Sequence, residues 1–315
     1  MAYGKAHMSQ IALLFSGQGA QKVGMGKDFA EASPAAAEIA GTANEVLGFP
    51  LSEIMFDGPD EELTKTSRCQ PALYTHGMMA LAMIKERLPH LEPVAAAGLS
   101  LGEFTAHAAA GTFSFEEGLK IVGQRGTFME EACNATEGSM AALIGGDEEQ
   151  VEALAKECDV DIANLNAPGQ IVLSGAVAGI DAVVEKAKDF GIRRAIKLNV
   201  AGAYHSRLMQ SAQDKLAAEL AQLEVATPSI PVVCNFQANA VSTADDIKST
   251  LEKQVTGSVR WTESIRELIS MGHTQFLELG PGKVIAGLVA KIDKSATVHS
   301  VEDLPSLEAA VEALS

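Results

Sequence analysis

Runs of small and branched apolar residues, each closed by glycine and followed by a helical pattern, recur along the chain and predict alternating strands and helices. Ile11-Ala12-Leu13-Leu14-Phe15 is the first strand, with the glycine-rich Ser16-Gly17-Gln18-Gly19-Ala20-Gln21 after it. An Ala-rich helix is predicted from Pro34, a loop at Asp57-Gly58-Pro59-Asp60, and a long amphipathic helix from Pro71 to about Arg87, with Pro71 in its first turn. Pro93-Val94-Ala95-Ala96-Ala97 then reads as a strand, Gly98-Leu99-Ser100-Leu101-Gly102 as a sharp turn, and Glu103 to Ala108 as the start of a helix. Gly111 stops that helix, and another carries Glu116 to Gly126.

From about Asn134 the pattern changes. Ser139 to Ile144 is predicted as a strand and Asp147 to Glu157 as a helix. Val160 to Asn166 and Ile171 to Gly175 read as strands across a Pro168-Gly169 turn, Ile180 to Phe190 as a helix and Arg194 to Val200 as a strand. That βαββαβ order predicts a ferredoxin-like unit over residues 134–202, inserted into a larger domain made of residues 8–133 and 203–315. The larger domain resumes with Tyr204-His205-Ser206 and a helix bearing Leu208, Ala212, Leu216, Leu220 and Leu223. Beyond it come a strand at Pro231 to Val233, a helix from Ile247 to Gln254, a strand at Phe276 to Leu279 and a helix from Val284 to Ala290. The expected fold class is α/β: a large α/β-hydrolase-like domain with a parallel central sheet, plus the small insert.

Composition narrows the function classes. The 315 residues are 47% hydrophobic, enough for a large core, and no apolar run reaches the roughly 18 residues of a membrane span. No charged segment leads into an apolar signal, so a cytoplasmic location is expected. The net charge of -17 speaks against nucleic acid as a partner. The dense cationic cluster Arg193, Arg194 and Lys197 reads as surface charge. Cys69, Cys133, Cys158 and Cys234 have neither metal-ligand nor disulfide spacing and are expected as small core residues, with no metal and no cofactor. Met1 to His7 has the look of an expression remnant ahead of a start at Met8.

The chemistry begins at Ser100. A G-x-S-x-G turn between strand and helix is a nucleophile elbow, with the Leu101 amide and the helix dipole behind it facing a developing oxyanion. In a chain with 28 glycines the pattern also arises by chance, so an ordinary strand-to-helix turn competes with that reading. The glycines after the first strand lack phosphate-loop spacing, and Gln18 is read instead as a backbone donor to a ligand. Arg125 lies on an otherwise apolar helix, where a guanidinium needs a partner. His205, at a strand-to-helix junction beside a predicted inter-domain cleft, is the best placed of seven histidines to act as a base, whereas His76 reads as a packed histidine.

Taken together, Phe15-Ser16-Gly17-Gln18-Gly19, Gly98-Leu99-Ser100-Leu101-Gly102-Glu103, Gln124-Arg125-Gly126, Asn166-Ala167-Pro168-Gly169-Gln170, Tyr204-His205-Ser206 and Glu278-Leu279-Gly280-Pro281-Gly282 occur in the order of the malonyl-CoA:acyl-carrier-protein transacylases. The chain resembles these discrete acyltransferases of fatty-acid synthesis over nearly its whole length. The resemblance implies ping-pong transfer of malonyl from malonyl-CoA to an acyl carrier protein, with Ser100 as nucleophile and His205 as base. It implies an oxyanion hole from the Gln18 and Leu101 amides, Arg125 as clamp for the malonyl carboxylate, and Gln254 orienting the histidine. Tyr204 and Leu101 stand at positions that imply selectivity for malonyl over methylmalonyl, and a monomer is implied. One departure is Leu99, where the family often has His; a leucine side chain supplies no polar contact at that position. An esterase with the same elbow and a non-catalytic carrier-docking module are the competing readings. The first needs an acid between serine and histidine and gives no reason for Arg125; the second gives none for keeping Ser100, His205 and Arg125 together.

Overall fold

The computed structural model describes residues 10–315, so the expected expression remnant at Met1 to His7 lies outside the described residues. Strand β1 (Ile11–Phe15) is buried throughout, and its alternation assigns two faces: Ile11, Leu13 and Phe15 enter one apolar cluster, Ala12 and Leu14 another. Strand β2 (Pro93–Gly98) pairs with it in parallel and divides the same way, Ala96 to the first cluster and Ala95 and Ala97 to the second. Burial on both faces is why these strands read as continuous apolar runs.

The small sheet contains β3 (Gly138–Ile144), β4 (Asp161–Ala167), β5 (Gln170–Ala176) and β6 (Arg194–Lys197); the large one is completed by β7 (Val232–Val233), β8 (Ala240–Val241), β9 (Gln275–Leu279) and β10 (Thr297–Val301). The large sheet runs β10-β9-β1-β2-β7-β8, parallel except for β8 at its edge. The Thr66–Arg87 helix covers the first face through residues such as Leu73 and Leu81. The Trp261–Ser270 and Val284–Ile292 helices cover the second through Trp261, Ile265, Ile285 and Val289.

The small sheet is antiparallel with order β4-β5-β3-β6, the ferredoxin-like order for its βαββαβ connectivity. Its own core packs Leu143, Leu173 and the helices Glu148–Glu157 and Val177–Lys186 on one face. From the other face Met140 and Val172 join the large cluster. Backbone bonds tie the small sheet to the segment just before the Trp261–Ser270 helix: Val259 N–H donates to Ala163 O at 2.8 Å and Leu165 N–H to Val259 O at 2.9 Å.

Two sequence expectations are corrected. The long helix starts at Thr66, so Pro71 lies inside it, because the Ser67 amide is capped from elsewhere by Glu130 Oε2 at 2.8 Å. Strand β6 ends at Lys197 rather than Val200: Leu198 N–H makes one last bond to Met140 O at 2.9 Å, and Leu198 to Val200 wall the cavity described next.

Candidate active site

The elbow follows from close approach. A Cβ on Gly98 would lie 1.9 Å from the Gly102 carbonyl, and one on Gly102 would lie 2.3 Å from Phe15 O, so neither position accepts a side chain. Between them Ser100 is held at φ 56°, a left-handed conformation that costs a non-glycine residue about 1 kcal/mol or more. What holds it is Asn235, whose Oδ1 accepts from Ser100 N–H at 2.7 Å while its Nδ2 donates to Gly98 O at 2.8 Å. His205 is also left-handed, at φ 54°. The two strained residues meet, with Ser100 Oγ 2.8 Å from His205 Nε2.

The other imidazole nitrogen fixes the proton. His205 Nδ1 lies 2.8 Å from the Gln254 backbone carbonyl, which only accepts, so Nδ1 carries the hydrogen and Nε2 presents its lone pair to the serine hydroxyl. Burial, and then the neighbouring Arg125 cation, push the His205 pKa down to about 4, which keeps the ring neutral at physiological pH.

Arg125 is 1% exposed and lies in the same constellation. Its Nη2 donates to Ser100 Oγ at 3.1 Å and to Gln254 Oε1 at 2.8 Å, and its Nη1 donates to Gln70 Oε1 at 2.6 Å. All of these partners are neutral, the buried Nε has none, and the guanidinium forms no ion pair among the described residues. The Phe104 ring, 5.4 Å from the guanidinium carbon, adds a weak cation–π contact. Burial lowers its pKa to about 10, so it stays charged. An unpaired buried cation costs several kcal/mol; the arrangement leaves a place for an anion beside the serine.

A cavity of about 340 Å³ opens onto Ser100, Arg125 and His205, with Met129, Met140 and Leu198 among its apolar walls. The Gln18 and Leu101 amides border it, and neither donates to an acceptor among the described residues. Tyr204 also lines it, its ring pinned by a hydroxyl 2.6 Å from Thr66 Oγ1 and 3.4 Å from Gln18 Nε2. Leu99 lines the cavity too and packs as a hydrophobe against the second apolar cluster. The structure thus brings together Ser100, His205, Arg125, Gln18, Leu101, Gln254 and Tyr204. His76 lies elsewhere, buried, with Nε2 3.0 Å from Glu302 O. The four cysteines are buried and unpaired with one another, and no cluster of three potential metal ligands occurs among the described residues.

Three residues of the constellation escape sequence reasoning. Asn235 reaches the elbow across 135 positions, and Gln70 meets Arg125 across 55, so no local spacing announces either. Glu103 had a signal, as an acid directly after the elbow, but read as a first-turn helix carboxylate it gives no hint of full burial.

Residues 12–312 match the family model for the acyl transferase domain. Among curated relatives, the malonyl CoA-acyl carrier protein transacylase of Bacillus subtilis is 42% identical over 312 residues, covering 98% of each chain. Among solved structures, an acyl-carrier-protein S-malonyltransferase from Bartonella henselae superposes with a TM-score of 0.91 at 37% identity, over 96% of this chain and 99% of that one. A malonyl-transacylase solved in complex with a type II polyketide acyl-carrier protein superposes with a TM-score of 0.93 at 36% identity, over 97% of this chain and 100% of that one.

Proposed function

The chain belongs to the malonyl-CoA:acyl-carrier-protein transacylases of the acyl transferase domain family, and we propose how its buried constellation carries out that transfer. The enzyme is an acyltransferase that moves malonyl from CoA to the thiol of an acyl carrier protein; supply of extender units to fatty-acid synthesis is the role we assign it. Ser100 Oγ attacks the thioester carbonyl while its proton passes to His205 Nε2, 2.8 Å away. The C–O bond forms, negative charge develops on the carbonyl oxygen, and the free amides of Gln18 and Leu101 receive it. Collapse breaks the C–S bond, and His205 returns the proton to the departing CoA sulfur. The carrier's phosphopantetheine thiol repeats the sequence in reverse, giving its proton to His205 and releasing Ser100.

The observation that carries this reading is Arg125: a fully buried cation with neutral partners only, its Nη2 3.1 Å from the nucleophile. A malonyl group brings its own carboxylate to that position, and an acetyl group does not. Gln254 serves the base through its carbonyl and the clamp through its side chain, which speaks against an esterase with an acid behind its histidine. Tyr204, pinned at its hydroxyl, cannot swing away from a C2-methyl, which favours malonyl over methylmalonyl. Each chain holds the whole constellation, so we take the monomer as the working unit.

Intact mass after brief incubation tests the reading. Malonyl-CoA should leave one malonyl increment on the wild type and none on Ser100→Ala, while acetyl-CoA and methylmalonyl-CoA leave at most traces. Folded wild-type protein with no adduct, or with equal adducts from all three thioesters, would overturn it.

A further inference from the structure

Glu103 is a buried carboxylate beside the site that the chemistry above leaves unused. It is fully enclosed, in the first turn of the Gly102–Ala109 helix that begins at the elbow. One of its oxygens does two things. Oε2 accepts from Asn235 N–H at 2.9 Å and from Gln254 Nε2 at 2.7 Å, while Oε1 has no partner among the described residues. Each donor leads straight into the site. Asn235 holds Ser100 N–H and Gly98 O through its side chain, so fixing its backbone fixes the strained elbow. Gln254 places its Oε1 on Arg125 and its backbone carbonyl on His205, and its Nε2 also donates to Ser100 O at 3.0 Å.

We propose, resting on the acyl-transfer reading above, that Glu103 is a positioning residue whose Oε2 sets the spacing of nucleophile, base and carboxylate clamp at once. Nucleophile and base both sit in left-handed backbone conformations, which persist only where surrounding bonds over-determine them. Glu103 ties the segments that supply those bonds, residues 98–103, 235 and 254, to a single atom. What this requires is an acceptor at that point, with reach rather than charge as the essential property. Burial pushes the Glu103 carboxyl up to about 7 against the pull of the nearby Arg125 cation, and with or without a proton on the unpartnered Oε1 its Oε2 remains an acceptor.

Reach and charge are separated by two substitutions. Glu103→Gln keeps the length and one acceptor oxygen but removes the charge; Glu103→Asp keeps the charge and withdraws the oxygen by one methylene. The rate of malonyl-serine formation, and its ratio to acetyl-serine formation, are read by quenched intact mass on protein whose fold is checked by circular dichroism and melting. Glu103→Gln should acylate within about threefold of wild type. Glu103→Asp should lose about 10- to 100-fold in rate, the cost of an ångström-scale misplacement, and part of its malonyl preference. If Glu103→Asp does not fold, Glu103→Leu, of similar volume and without an acceptor, carries the same expectation. The reverse order, with the Gln variant impaired and the Asp variant active, would make charge the essential property and overturn the proposal. So would lowered melting temperatures with unchanged rates and selectivity, which a purely structural role predicts. Absence of the malonyl adduct on wild type would sink the transacylase reading itself, and this proposal with it.

Discussion

Two arginines near the catalytic histidine have opposite surroundings. Arg207 follows His205 by two positions and stands on the surface, where its fork meets Asp161 at 2.7 Å and Asp159 at 2.8 Å. Its backbone amide donates to Asp161 as well, at 2.8 Å. Those carboxylates hold its pKa above the ordinary value. Arg125 is buried, bonded to an amide oxygen on each side and a hydroxyl, and its pKa is lowered by desolvation. Scarcity of acids does not explain the difference, because the chain has 41 of them against 24 lysines and arginines. The fold gives the surface cation directly bonded carboxylates and leaves the buried one with neutral hydrogen-bond partners, Glu103 standing behind Gln254, where a substrate supplies the anion. Arg207 ties the segment after His205 to the insert; Arg125 waits for a ligand.

That contrast can be sharpened in order of expected effect. His205→Ala removes the base and should slow malonyl-serine formation by about 10³-fold on folded protein. The wild-type rate gives the companion measurement: the base works while neutral, and its pKa lies near 4, so activity should hold as pH falls from 7 to about 5 and be lost through about 4. A half-point near 6.5 would mean that the ring is not desolvated as described. Arg207→Ala stands at the other extreme. Its pairs are solvent-exposed and screened, so thermal unfolding should show a loss below about 1 kcal/mol, with the acylation rate within about threefold of wild type. A large catalytic loss there would break the contrast and make the surface fork part of the site.

Much of this was legible in the chain because its signals are local. The run Ile11 to Phe15, the glycines flanking Ser100 and the Pro168-Gly169 turn between β4 and β5 each specify their backbone within a few residues. Ser100 could be named from its G-x-S-x-G turn, His205 from its strand-to-helix junction and Arg125 from its apolar helix, with their roles implied by the family resemblance. Where the deciding partner is distant in sequence, the reading stops short. The helix containing Pro71 begins early because Glu130 caps it across 63 positions. Asn235 reads as a loop residue until the fold brings it to the elbow. The family resemblance implies Gln254 as an orienting residue; that it faces His205 with its main chain and Arg125 with its side chain is a fact of three dimensions.

The central claim is that Arg125 is left without an anion because the substrate brings one. The most direct measurement is the ratio of malonyl- to acetyl-serine formation in Arg125→Ala, compared with wild type by intact mass over time. The account predicts that malonyl acylation falls by about 100-fold or more while acetyl acylation is maintained or rises, so that the preference collapses. An Arg125→Ala protein that folds and still prefers malonyl as strongly as wild type would contradict it.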